Sequence, residues 1–589
     1  MKSFFKFLLA SVLGVLIGFT LIFFIAFGII GLMIASADRV VDVEPNTVFH
    51  MKLDKPIVDR ASRSPFEGFD FYSMRPSKQL GLNDILSNIE KAKNDDNIDG
   101  IFLEILMPQA GISTLGEIRA ALAEFRESGK FIVASSDTYT QTAYYLASVA
   151  DEVYLTPTGL LQWTGLRSEV MFFKGALDKL GLEPEVLRHG EYKSAVEPFI
   201  QEEMSKESRE QVMTYIGSIW QVMLEEVSGS RNMSTERLDQ IAEGLLVRSD
   251  ELALELGLVD ELVYRDDVIR ILKEHTGVDE EDDLKVIDIV RYTRVPEERA
   301  SRRPPREKLA VVYAQGSINV GEGGAQAIGS DRISRALREA RRDTMVKAIV
   351  FRVNSPGGSA LASEVIWREV ELASKEKPVV VSMGDVAASG GYYVAAPATK
   401  IVANPQTITG SIGVFGIMLD ASEFLNDKLG ITVDVVKTNE FADIGSIYRP
   451  LTQAEREILQ KGVEDIYETF TKRVADGREM EVSRVDEIGQ GRVWSGADAM
   501  DLGLVDEFGG LTRAIEIAAE EAGIDVYRLV SLPRIPDPFE ELMRAFSFDV
   551  RKRLFGRGLE ETNRHYDAIR FILENQGTQA RMPFNIQVY

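Results

Sequence analysis

The 589-residue sequence contains no cysteine. There is thus no disulfide framework, no thiolate nucleophile and no cysteine-ligated metal site. Histidine is almost as scarce. Its four occurrences (His50, His189, His275 and His565) are widely scattered, and none forms the H-E-x-x-H pair of a zinc protease. Basic charge is in deficit, with 67 Lys and Arg against 92 Asp and Glu. A net charge of -25 and a pI near 4.8 argue against a nucleic-acid partner, which needs a basic face. Long apolar runs are missing everywhere except at the start of the chain.

That one run, residues 7–37, is uncharged, with Lys2 and Lys6 before it and Asp38 and Arg39 after it. As a helix it would reach about 46 Å, enough to cross a hydrocarbon layer of ~30 Å with tilt or surplus. The leading lysines predict a cytoplasmic N-terminus, with all that follows on the outer side of the membrane. Ala35-Ser36-Ala37 resembles a signal-peptide cleavage site, but the run is about twice the length of a signal core. A retained, single-pass anchor is the expectation.

The rest of the chain is one block written twice. Ile98-Asp99-Gly100-Ile101 aligns with Val346-Lys347-Ala348-Ile349 at an offset of 248, and Tyr144-Tyr145 with Tyr392-Tyr393 at the same offset. The offset is 249 at Lys179-Leu180-Gly181 against Lys428-Leu429-Gly430, and 246 at Gly257–Glu261 against Gly503–Glu507. So small a drift over so long a stretch marks a duplication. Each copy alternates apolar, β-branched runs with helical patterns. In the second copy, 308–313, 348–353, 379–383 and 400–403 read as buried strands, and 359–375 as a helix. Such alternation predicts an α/β fold of two tandem repeats with parallel sheets and helical extensions, the latter at 205–245 and 452–487. The expected divisions are an anchor over 1–38, a first repeat with lead-in and charged linker over 39–300, a second repeat over 301–520, and a helical tail over 521–589.

The copies differ in a complementary way. Ser389, in V-V-V-S-M-G-D-V-A-A-S-G-G, faces Gln141; Pro356-Gly357-Gly358 faces Pro108-Gln109-Ala110; Lys193, in H-G-E-Y-K-S-A, faces Ala442. Such a pattern suits one site that draws on both halves. Ser389 lies where a buried strand turns into a helix, with small neighbours that let the backbone bend sharply and expose a hydroxyl. Gly390 N–H, at the helix start, and Gly358 N–H, in a glycine turn, are candidate donors to an oxyanion. An ordinary helix N-cap looks the same locally. A serine nucleophile needs a base, and lysine serves only when neutral. Lowering its pKa by ~3 units biases it against the ammonium by about 4 kcal/mol, within reach of burial. The alternatives are a Ser-His-Asp hydrolase with His189 as base and Asp385 as orienting acid, a non-catalytic membrane scaffold, and an acyl-CoA enzyme, the last disfavoured by the anchor. Asp385 and Ser382 otherwise read as turn residues, and Tyr392 and Tyr393 as packing between helix and sheet.

The segments N-S-P-G-G-S (354–359), S-M-G-D-V-A-A-S-G-G-Y-Y-V-A (382–395), T-G-S-I-G-V-F-G (409–416) and G-E-Y-K-S-A-V-E-P-F (190–199) together resemble the signal peptide peptidase A family in its long, two-copy, membrane-anchored form. The resemblance runs from about residue 80 to 520. It implies a crotonase- or Clp-protease-like fold and a serine protease without a cofactor, acting on remnant signal peptides and other short apolar peptides. It also implies Ser389 as nucleophile, Lys193 as general base, Ser411 as the residue orienting the lysine, Gly358 and Gly390 as the oxyanion hole, and assembly as a homotetramer. Trp163, the counterpart of Ser411 in the first copy, lacks the hydroxyl for that role.

Overall fold

The computed structural model describes residues 4, 6–7, 9–21, 41–61, 69–70, 75–76, 79–296, 304–324, 327–534 and 577–581. Residues 9–21 of the apolar run are helical and exposed, and 22–37 lie outside the described residues. Among the described residues, no helix is long and apolar enough to cross a membrane.

Each copy is built on a mainly parallel sheet, the second with one antiparallel edge pair. In the first, strands β1 (Thr47–Lys52), β2 (Ile98–Glu104), β3 (Phe131–Tyr139) and β4 (Glu152–Leu161) lie side by side, with Glu261–Leu262 beyond β4 and Val286–Asp288 beyond β1. A further strand, β5 (Glu183–His189), leaves this sheet altogether. In the second copy, β6 (Lys308–Gln315), β7 (Val346–Ser355), β8 (Gly357–Ser359), β9 (Val379–Ala388), β10 (Ile408–Gly410) and β11 (Val414–Asp420) follow in chain order. The sheet order there is Val493–Ser495, β10, β9, β7, β6 and Arg528–Leu532, with Lys400–Ala403 also paired to β9. The runs of Val, Ile and Ala that predicted buried strands are almost wholly inaccessible, as strands covered on both faces must be. The pairings repeat at the offset read from the sequence. Thr138 faces Leu160 and Tyr139 faces Leu161 across β3 and β4, just as Val386 faces Ile408 and Ala387 faces Thr409 across β9 and β10.

Helix α1 (Gln141–Ala147) follows β3, and α2 (Lys206–Arg231) is the long helix of the first copy. Their equivalents are α3 (Gly390–Ala395) and α4 (Gln453–Arg478). The helical extensions expected over 205–245 and 452–487 are each broken in the same place. Asn232 and Glu479 adopt left-handed conformations, and a second helix then begins, at Thr235 and at Val482. Tyr392 and Tyr393 are buried in the second core, as expected.

Three expectations need correction. The stretch read as a charged linker holds helix Arg265–Thr276 and edge strand Val286–Asp288, although Glu280–Asp283 is exposed. The lead-in contributes β1, a strand inside the first sheet. The described parts of the helical tail beyond the end of helix Leu511–Ala522 include two strands, Arg528–Leu532 and β12 (Gly577–Arg581). Arg528–Leu532 adds to β6 as Val286–Asp288 adds to β1, so the duplication reaches past residue 520. Composition concealed the edge strands Val286–Asp288 and Arg528–Leu532 because they are short and partly exposed, with charged neighbours.

The copies are locked together by a buried ion cluster. Arg352, on β7 and wholly inaccessible, donates to Asp59 at 2.8 Å and Glu117 at 2.7 Å, both from the first copy, and to Ser382 at 2.9 Å. Glu117 also accepts Leu511 N–H at 2.7 Å. Ser382 and Asp385 are therefore strand residues within β9, not turn residues. A buried cation whose removal strands two carboxylates is costly to lose, at about 3–5 kcal/mol. Arg352→Ala is expected to lower the free energy of unfolding by that amount in urea denaturation. An unchanged midpoint would show that the cluster contributes nothing to the union of the copies.

Candidate active site

Ser389 sits between β9 and α3 with φ 55° and ψ -115°. This left-handed geometry is strained for a residue with a side chain, by about 1–3 kcal/mol. Its surroundings impose it: Ser389 N–H donates to Gly410 O at 2.8 Å, its carbonyl accepts Tyr393 N–H at 2.8 Å, and Tyr392 beneath donates its hydroxyl to Leu504 O at 2.9 Å. The side chain makes no cap bond to the helix. An N-cap role is thereby ruled out, and the hydroxyl is turned elsewhere.

It meets Lys193. The lysine Nζ lies 2.9 Å from Ser389 Oγ, 3.0 Å from Ser411 Oγ and 3.1 Å from Ser411 O. Ser389 Oγ is also 3.4 Å from Gly413 O. All three side chains are fully buried. Burial alone pushes the Lys193 amine well below its ordinary value. Among the described residues no carboxylate hydrogen-bonds to it; its partners are hydroxyl and carbonyl oxygens.

Lys193 reaches this point because β5 crosses from the first copy to pair antiparallel with β11 of the second, from His189 opposite Val414 to Glu183 opposite Asp420. The loop after β5 is then stitched down. Tyr192 N–H donates to Gln490 O at 3.0 Å, while Gln211 donates to Tyr192 O at 3.0 Å and accepts Val493 N–H at 3.1 Å. Glycines make the room. A Cβ on Gly491 would stand 2.7 Å from Lys193 Cβ, and one on Gly413 would stand 3.1 Å from Lys193 Cδ. Gly491 and Gln211 were not singled out from the sequence. Gly413 lies inside the T-G-S-I-G-V-F-G segment, and its part is visible only once the lysine is in place.

Gly358 and Gly390 border the same spot. Gly358 has φ 158°, and a Cβ on it would collide with Ile318 O at 2.1 Å. Across them lies β12, antiparallel to both β8 and β11: Ala580 faces Gly358, and Gln579 faces Ser359 on one side and Phe415 on the other. Ala580 O would stand 2.9 Å from a Cβ on Gly390 and 2.3 Å from one on Gly357. An extended peptide backbone thus runs past the serine with a carbonyl oxygen beside the glycines. The sequence had given no sign of this strand.

The equivalent position in the first copy is closed. Gln141 accepts the N–H groups of Thr164 and Gly165 at 2.8 and 2.9 Å and donates to Gly165 O at 3.0 Å, so its amide fills the space of a dyad. Trp163 is buried, with its indole N–H on Leu238 O at 3.0 Å.

The Ser-His-Asp alternative is not assembled. His189 stacks on Tyr467 with ring centres 3.9 Å apart. Asp385 accepts Thr114 N–H at 2.8 Å and its hydroxyl at 2.7 Å, and burial raises its pKa. It joins the copies rather than orienting a base.

The profile of peptidase family S49 matches residues 124–279 and 371–525. "Protease 4" of Haemophilus influenzae is 38% identical, the match covering 75% of this chain and 73% of that protein. "Serine protease SPPA, chloroplastic" of Arabidopsis thaliana is 34% identical over 80% of this chain and 70% of its own. "Putative signal peptide peptidase SppA" of Enterococcus faecium is 36% identical over 31% of this chain and 54% of its own. Among solved structures, a ClpP1 mutant from Listeria monocytogenes aligns over 35% of this chain at 17% identity, with a TM-score of 0.24.

Lys193 carries a stability signature. In the unfolded chain its amine titrates at about 10.4, whereas folding holds the value well below that. Between the two values the unfolded state binds the extra proton, so stability rises with pH across this window, and the full penalty applies below it. Lys193→Met is expected to raise the unfolding temperature at pH 7 and to flatten its dependence on pH between 7 and 10. A lower unfolding temperature with the same pH slope as the parent would contradict a neutral buried amine.

Proposed function

Given that this chain belongs to peptidase family S49, and so is a serine-type protease, we propose that Ser389 is its nucleophile and Lys193 its general base. The observation that carries this reading is the 2.9 Å contact between a buried amine and a strained hydroxyl 196 residues further along the chain. Neutral Lys193 takes the Ser389 proton as Oγ attacks a peptide carbonyl. Gly358 and Gly390 N–H groups stabilise the oxyanion, and the new ammonium returns its proton to the departing amine. Water, deprotonated by Lys193, then releases the acyl group and restores the serine. Ser411 orients the amine without adding a charge that would hold it protonated.

The substrate class we propose is remnant signal peptides and other short apolar peptides, taken up as extended strands. The lie of β12 between β8 and β11 supports this, because strand addition binds a peptide through its backbone and leaves small pockets for alternate side chains. We propose further that residues 7–37 anchor the chain in the bacterial inner membrane with the protease on the outer face, where apolar peptides released from the bilayer collect.

Ser389→Ala and Lys193→Ala are each expected to abolish hydrolysis of a fluorogenic apolar peptide with the fold retained by circular dichroism. The parent is expected to react with a fluorophosphonate at Ser389, and a chain that never labels would be a scaffold, not an enzyme. Because the base must be unprotonated, kcat/KM is expected to fall as pH drops through the lowered lysine value, leaving the enzyme active well below pH 10. An ascending limb near 10.4 would contradict the assignment. A chain ending at residue 576 is expected to show a several-fold lower KM, since a tethered strand competes at high local concentration. An unchanged KM would mean that peptides bind elsewhere.

A further inference from the structure

One glutamine bonds to the residues on either side of Lys193 and to the strand beside them. Gln211, on α2 and 1% exposed, donates its amide to Tyr192 O at 3.0 Å and to Ser194 Oγ at 2.8 Å, and its oxygen accepts Val493 N–H at 3.1 Å. These partners fix its orientation, because a carbonyl oxygen can only accept and a backbone N–H can only donate. Val493 pairs with Gly410 at the end of β10. Gly410 O accepts Ser389 N–H at 2.8 Å, and Arg492 O accepts Ser411 N–H at 2.6 Å. A single side chain therefore ties the Lys193 loop to the segment that holds both hydroxyls. Helices α2 and α4 correspond at an offset of 247, from Lys206 and Gln453 to Arg231 and Arg478. The counterpart of Gln211 is then Ile458, 52% exposed. The glutamine is present in the copy that carries the lysine and is missing, like the lysine, from the other.

We propose that Gln211 is the positioning residue for Lys193, holding its loop in register with Ser389 and Ser411 so that the amine meets both hydroxyls. The inference rests on the proposed role of Lys193 as general base. The contacts to be set are short, 2.9 Å to Ser389 Oγ and 3.0 Å to Ser411 Oγ. A flexible four-carbon stem keeps an amine at such distances only when its backbone is fixed. Glutamine suits the post because it donates and accepts without carrying charge. Glutamate there would set a carboxylate beside the loop of an amine that must stay neutral. The charged groups on the surrounding elements are engaged elsewhere or face outward. Glu197 accepts the Ser205 hydroxyl at 2.7 Å and lies 4.0 Å from Arg188, Glu210 pairs with Arg492 at 3.2 Å, and Asp486 accepts the Tyr467 hydroxyl at 2.7 Å. Glu191 is exposed, and His189 stacks on Tyr467. Tyr392 and Tyr393 donate to Leu504 O and Glu364, and residues 408–419 carry no ionisable side chain. Without the glutamine the loop loosens, water reaches the amine, and the amine holds its proton more tightly.

The test is the rate at which a fluorophosphonate labels Ser389, followed against pH in the full chain in detergent. Gln211→Met, similar in length and lacking the amide, is expected to label about tenfold to a hundredfold more slowly at pH 7. The midpoint of its ascending limb is expected to rise by about half a pH unit or more. With the fluorogenic peptide, kcat is expected to fall while KM is unchanged. Gln211→Ser, which leaves room for water at the three freed groups, is expected to move the limb the same way and carries the measurement if Gln211→Met does not fold. Ser218→Ala removes another contact between α2 and the same strand, Ser218 Oγ to Ser495 Oγ at 2.7 Å, and is expected to keep the parent's limb. The parent's limb in the Gln211 variants would overturn the proposal. An equal shift in Ser218→Ala would also overturn it, by marking a general loosening. Lys193→Ala separates this failure from failure of the dyad. If it labels like the parent, the base is misassigned; if it does not label while the Gln211 variants follow the parent's limb, the base stands and Gln211 is only structural.

Discussion

The site depends on one amine kept out of water with only hydroxyl and carbonyl oxygens for company. A carboxylate beside Lys193 would hold it protonated, and solvent would do the same. Among the described residues no carboxylate bonds to it, and its side chain is fully buried. Ser389 and Ser411 accept from the amine, burial lowers its pKa, and Gly413 and Gly491 give up their side chains to let the aliphatic stem pass. The cost is a folded state that carries an unfavourable group at neutral pH, a cost that the proposed base chemistry requires.

The fold meets that cost by joining two copies. Neither holds both members of the proposed dyad alone: Gln141 fills the first copy's position with its own amide, and the second copy has Ala442 where a lysine would be. What unites them is β5, which abandons its own sheet for β11, together with the Arg352 cluster that ties β7 to Asp59 and Glu117. The strain at Ser389 persists because β10, α3 and the buried tyrosine beneath them leave the backbone no alternative.

Much of this was legible in the sequence because duplication turns one chain into its own comparison. The offset of 248 paired Ser389 with Gln141 and Trp163 with Ser411, and the strand register repeats it. Buried strands such as Lys400–Ala403 were readable because runs buried on both faces are continuously apolar. The edge strands Val286–Asp288 and Arg528–Leu532 were not, because half-exposed pieces of three to five residues with charged neighbours look like linker. β12 was beyond reach for a different reason: its place is fixed by partners more than 150 residues away, not by any periodicity of its own. The turn reading of Ser382 and Asp385 failed because polar residues inside a strand serve the contact between copies, which one copy's pattern does not encode.

The central claim concerns a protonation state, and it is open to direct observation. In chain labelled with ¹⁵N at the lysine side chains, the Nζ resonance missing from Lys193→Met identifies the amine, and its shift can be followed from pH 5 to 11. A midpoint well below 10.4, far from those of the exposed lysines, is the predicted result. A Lys193 signal that titrates with the surface lysines would contradict the account.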